Sequence, residues 1–125
     1  MLGNTGTMIL NFANLSLDPP SILVFQPVIK VIEGNTAMLV CGSEGNPSSI
    51  TTKWSRNGEI LDDRRFKVQG NGTLQITSVR YEDHGKYVCE VFNSVGKGES
   101  KTAEMQVQGK TQTASQSSLL DAQAV

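Results

Sequence analysis

The 125-residue chain has little of what most protein chemistry draws on: one histidine, two cysteines, one tryptophan, and aromatic residues at only 6% of the total. A single histidine and two cysteines make no plausible metal site without sacrificing both sulfurs, so no metal or cofactor is expected. Charge of one sign is lacking too, since 11 basic and 12 acidic residues leave a formal net charge of -1. Without a broad positive field, neither nucleic acid nor an anionic membrane surface is an expected partner. No apolar run approaches the length that crosses a bilayer, so no direct membrane insertion is expected. Met1-Leu2-Gly3-Asn4-Thr5-Gly6 lacks the basic and apolar stretches of a secretion signal. If the natural protein is secreted or anchored, its signal and anchor are expected outside this chain.

A sustained helical period is also missing. From Pro19 to Val107 short apolar alternations are separated by Gly, Asn, Asp and Ser clusters, the pattern of an all-β domain, and the length suits one core rather than two. Side chains alternate along a strand, so Ala37, Leu39 and Cys41 share an inward face, as do Ile50, Thr52 and Trp54. Leu74 with Ile76, then Tyr87, Cys89 and Val91, then Ala103, Met105 and Val107 complete the expected core. Turns are expected at Arg56-Asn57-Gly58-Glu59, at Gln69-Gly70-Asn71-Gly72, where both Asn71 and Gly72 tolerate positive φ, and at Asn93-Ser94-Val95-Gly96. Ile22, Val24, Val28, Lys30 and Ile32 read as a leading strand broken by Pro27, a residue tolerated at sheet edges.

Both cysteines lie on inward faces, and bonding Cys41 to Cys89 is the economical reading; two free buried thiols are the alternative. Trp54 lies on the strand between them, and Asp83-His84-Gly85-Lys86-Tyr87-Val88-Cys89 places Tyr87 two residues before the second cysteine. That is the spacing of a tyrosine corner, in which the phenol bonds a nearby backbone group. With Leu74, these elements in this order resemble the immunoglobulin superfamily over about Pro19 to Val107. The resemblance implies an immunoglobulin-like β-sandwich of two antiparallel sheets with Greek-key connections. The stretch from Trp54 to Leu74 has room for C′ and D strands but not C″, and Asn93-Ser94-Val95-Gly96 is similar to an N-x-x-G turn. Both features resemble the intermediate, or I-set, type of adhesion molecules, receptor ectodomains and muscle filament proteins. In that family the aspartate equivalent to Asp83 often pairs with an arginine opening strand D; Arg64 and Arg65 both stand at the matching place.

The expected division is an extension over 1–18, the domain over 19–108 and a polar linker over 109–125. In the extension, Ala13, Leu15 and Leu17 alternate as a closing strand does, either ending a preceding module or adding an edge strand here. Pro19-Pro20 would then be a stiff junction between modules. Asn14-Leu15-Ser16 and Asn71-Gly72-Thr73 are N-glycosylation sequons if the chain enters the secretory path. With the paired cysteines they point outside the cell.

No catalytic residues are expected. Asp83 and His84 are adjacent but lack a nucleophile and an oxyanion site, so an acid–base role gives way to a solvated turn. Lys53, Arg56, Arg64, Arg65 and Lys67 would form a basic strip for sulfated glycans or an acidic protein, an idea opposed by the interleaved Glu59, Asp62 and Asp63. The leading expectation is a protein-binding or spacing module of a cell-surface protein, its interface carried by Lys53, Ser55, Glu90, Phe92, Glu99 and Lys101, with Phe92 as anchor. Its partner would be another protein, like or unlike itself, or a neighbouring module of the same kind. The alternative is an intracellular filament domain of the muscle type.

Overall fold

The computed structural model describes residues 16–109. Ten strands follow in order: β1 (Asp18–Phe25), β2 (Val28–Ile32), β3 (Ala37–Leu39), β4 (Cys41–Asn46), β5 (Thr51–Arg56), β6 (Glu59–Ile60), β7 (Phe66–Val68), β8 (Leu74–Ile76), β9 (Gly85–Asn93) and β10 (Gly96–Gln108). One layer is a five-stranded sheet in the order β2-β10-β9-β5-β6. The other consists of two ladders, β3-β8-β7 and β1-β4, in which β3 and β4 are one run of chain interrupted at Val40.

Alternation decides what lies between the layers. Ala37, Leu39 and Cys41 from one sheet meet Trp54, Tyr87, Cys89, Val91, Ala103 and Met105 from the other, and all are essentially inaccessible. Leu74, Ile76 and Val79 close the core beside them. Arg56-Asn57-Gly58-Glu59 turns as expected, with φ of 54° at Asn57 and 82° at Gly58, the positive pair that suits the strand twist of a two-residue hairpin.

Three departures from the sequence reading have physical causes. The leading strand is two strands in different layers: β1 runs antiparallel to β4, whereas β2 runs parallel to β10, so the pairing is not wholly antiparallel. Pro27 sits at the break, where it has no N–H to lose and its carbonyl accepts the Glu104 N–H at 2.7 Å. An irregularity between Ile22 and Val24 turns Val24 outward, and after the break Ile29, not Val28 or Ile32, enters the core. Next, Pro19 and Pro20 are part of β1 rather than a junction, and Pro20 is buried. Gly45 and Gly98 make room for it: a Cβ on Gly45 would lie 2.9 Å from the Pro20 Cα, and one on Gly98 would collide with the Pro20 carbonyl. Finally, only Gly72 of the Asn71-Gly72 pair has positive φ, at 91°. Asn71 instead accepts the Thr73 N–H on its side-chain oxygen at 3.0 Å, an Asx turn.

Candidate functional site

The sulfurs of Cys41 and Cys89 are joined across the two layers, with Cα atoms 6.7 Å apart. Trp54 is paired in register with Cys89, so its indole stands on the same inner face. Its ring stacks on Phe25 with centroids 6.2 Å apart, and its N–H donates to the Gly72 carbonyl at 2.8 Å, which satisfies the one polar atom the indole brings into the core. Leu74 is fully buried.

The corner before β9 is built on Asp83, the last residue of a short 3₁₀ turn over Tyr81–Asp83. Its carboxylate is almost wholly buried and accepts both guanidinium nitrogens of Arg65, at 2.8 and 2.9 Å, plus the Arg80 N–H at 2.7 Å. Arg65, not Arg64, is therefore the aspartate's partner. Tyr87 donates its hydroxyl to the Asp83 carbonyl at 2.5 Å, completing the tyrosine corner. Gly85 follows with φ of 139°, a backbone conformation that a side chain would strain. Burial would raise the Asp83 carboxyl, but the hydrogen bonds from Arg65 and Arg80 and the charges of Arg65 and Arg56 outweigh it and hold it below its ordinary range. Burial, its largest cause, pushes the Tyr87 hydroxyl up to about 12.

Arg56 is a corner residue that sequence reasoning assigned only to a surface strip. It donates to the Glu82 and His84 carbonyls at 2.6 and 3.0 Å, and its guanidinium lies 5.4 Å from the Tyr87 ring centroid and 3.8 Å from Asp83. No local pattern signals this role, because its partners lie 26 and 28 residues away. The expected basic strip is thereby divided. Arg56 and Arg65 serve the corner, Arg64 is exposed, Lys53 lies on the five-stranded sheet and Lys67 on the opposite layer. Asp83 and His84 make no acid–base pair, since the carboxylate is committed to Arg65 and the exposed imidazole leans on Tyr81. Among the described residues, no three His, Cys, Asp or Glu side chains come together as a metal site.

The outer face of the five-stranded sheet gathers four of the six expected interface residues. Register sets Lys53 beside Glu90 and Ser100, Thr51 beside Phe92 and Lys97, and Ser55 beside Val88 and Thr102. Phe92 is partly buried, with the Lys53 ammonium 5.0 Å from its ring centroid, and Lys97 reaches Glu90 at 2.7 Å. Exposed Ile60 extends the face along β6.

Glu99 and Lys101 do not join it. In the unbroken register from Met105 to Ser100, Ser100 stands in the outer row opposite Glu90 and Lys101 opposite the inward Cys89, and the bulge between Lys97 and Ser100 then returns Lys97 to the outer row opposite Phe92. Lys101 consequently stands at the rim with its ammonium 6.0 Å from the Phe25 ring centroid, and Glu99 accepts the Ile22 N–H of β1 at 2.7 Å. Asn71 is exposed on its turn, whereas Asn14 lies outside the described residues, as do Ala13, Leu15 and nearly all of the expected linker.

Comparison with known proteins adds a family and a set of neighbours. Residues 19–93 match the family described as immunoglobulin domain. The chain is 32% identical to neuroglian of Drosophila melanogaster over 85 residues, which cover 68% of this chain and 6% of that protein. It is therefore a small fraction of such relatives in length. Among solved structures, the extracellular domains 3–5 of Drosophila OTK match with a TM-score of 0.65 and 31% identity, covering 74% of this chain and 32% of that one. A chain of the titin M10–Obscurin like 1 Ig complex matches at 0.64 and 29%, covering 74% of this chain and 96% of that one. No helix among the described residues is long and apolar enough to cross a membrane.

Proposed function

Because the chain belongs to the immunoglobulin domain family, we propose that it is a non-catalytic module of a larger cell-surface adhesion or receptor protein, binding another protein or spacing its neighbours. The observation that carries the binding half is the outer face of the five-stranded sheet. It is an open surface where Lys53, Glu90 and Lys97 surround a partly buried Phe92. An aromatic ringed by charged side chains that shed water when a partner docks has the make-up of an interface anchor. Support for an extracellular setting comes from the joined cysteines and from the likeness to the extracellular domains of OTK. We keep the module at residues 19–108, with the start of β1 tied into the sandwich by the Asn46 and Asn93 side chains, which donate to the Ser16 and Asp18 carbonyls. The segments on either side then connect it to further modules in a tandem array.

A second reading, an intracellular filament or docking domain, is favoured by the equal likeness to a chain of the titin M10–Obscurin like 1 Ig complex. Cysteine oxidation separates the two.

The face is tested in the full-length protein against the partner it captures from cell surfaces by crosslinking. Phe92→Ala is expected to cost about 2 kcal/mol of binding, roughly a thirtyfold loss of affinity. Lys53→Glu should weaken binding as well, while circular dichroism stays unchanged. Undiminished affinity in both variants would remove the face as the interface.

A further inference from the structure

The sequence contains two Asn-Gly pairs, Asn57-Gly58 and Asn71-Gly72, and the fold treats them in opposite ways. Such pairs are chemically weak points, because a glycine offers no Cβ to shield its backbone nitrogen. That nitrogen can attack the side-chain carbonyl carbon of the preceding asparagine. A new N–C bond closes a five-membered imide, the amide nitrogen leaves as ammonia with the displaced proton, and water then opens the ring to an aspartyl or isoaspartyl residue. No electrons are transferred, and water is the only co-reactant. The reaction needs the glycine nitrogen and the asparagine side chain free to approach one another.

At Asn57-Gly58 they are free. Both residues are exposed at the tip of the β5–β6 hairpin, and neither the Asn57 side chain nor the Gly58 N–H has a hydrogen-bond partner in the described structure. A Cβ on Gly58 would meet nothing within 4 Å, so the turn projects into solvent. The ladder that closes it has two register pairs, Ser55 with Ile60 and Arg56 with Glu59, at the edge of the sheet. Opening so short a ribbon is a low-cost local fluctuation.

At Asn71-Gly72 both reacting groups are held. The Asn71 oxygen accepts the Thr73 N–H at 3.0 Å, and the Gly72 N–H donates to the Gln69 carbonyl at 2.9 Å. The Gly72 carbonyl is fixed by the Trp54 indole at 2.8 Å, and Gly72 is so tightly packed that a Cβ there would collide with the Cys41 carbonyl. Bringing nitrogen and carbon together at this site would require the core to open.

We propose that Asn57-Gly58 is a site of spontaneous deamidation in the folded protein, and that the fold protects Asn71-Gly72. Conversion adds a carboxylate between Arg56 and Glu59 at the hairpin tip. The isoaspartyl product also lengthens the turn backbone by a methylene, which breaks the match between a two-residue turn and strand twist.

The test is peptide mapping of the full chain, made without glycans and with the Cys41–Cys89 bond formed, during storage at neutral pH and body temperature. A reduced, urea-unfolded sample runs beside it. The expected result is aspartyl and isoaspartyl product at position 57 in the native sample, with position 71 slower by an order of magnitude or more. Unfolding should bring the two rates together. An intact Asn57 in the native sample while the unfolded one converts, or equal native rates at the two positions, would overturn the proposal.

Discussion

Cys41→Ala, or Cys89→Ala, is expected to lower unfolding free energy by about 4 kcal/mol, the loop-closure entropy lost when a bridge spanning 48 residues is removed. Single domains are commonly stable by only about 5–15 kcal/mol, so this one link is a large share of the total. The two cysteines belong to β4 and β9, in opposite layers, and the bond between them is what ties the layers covalently. Urea titration of oxidised wild type against either variant measures the effect. The midpoint should fall steeply, and a coincident pair of curves would show that packing alone holds the sandwich.

Arg65→Ala is expected to cost about 3 kcal/mol, because it leaves the buried Asp83 carboxylate without its two-pronged partner. Asp83→Asn should cost less, since it removes the buried charge and keeps an oxygen for the Arg80 N–H. The pH dependence distinguishes the two. In the wild type the Asp83 carboxyl is held below its unfolded value, so its contribution is present above about pH 4 and is lost as pH falls through the folded value. Without Arg65, burial is opposed only by the Arg80 N–H at 2.7 Å and the charge of Arg56 at 3.8 Å, so that value rises. The stability gap between wild type and Arg65→Ala should therefore be widest near neutrality and narrow as pH falls first through the variant's folded value and then through the lower one of the wild type. A gap independent of pH would show that Asp83 does not depend on Arg65 for its charge.

The core was legible because period-two alternation is a local property. Leu39, Cys41, Trp54, Leu74, Ile76, Tyr87, Cys89, Ala103 and Met105 can be read off the spacing, and each is buried. What could not be read depended on contacts distant in sequence or on changes of strand phase. Arg64 and Arg65 are equivalent until Phe66 commits to the core and Asp83 comes within reach of one of them. Pro19-Pro20 looks like a linker unless Gly45 and Gly98 are known to pack against it. Glu99 and Lys101, expected on the binding face, leave it because Lys101 is in register with the inward Cys89 and Glu99 falls in the bulge between Lys97 and Ser100. Arg56 gives no local sign of its role, since its two carbonyl partners are brought to it only by folding.

The two layers of the sandwich are joined through Cys41 and Cys89, a bond that fits the proposed setting outside the reducing interior of the cell. The most direct test is the state of those sulfurs in full-length protein isolated from its natural source, alkylated without reduction and mapped by mass spectrometry. The predicted result is a crosslinked Cys41–Cys89 peptide with neither thiol alkylated. Quantitative alkylation of both cysteines in folded protein would contradict it and favour the intracellular reading.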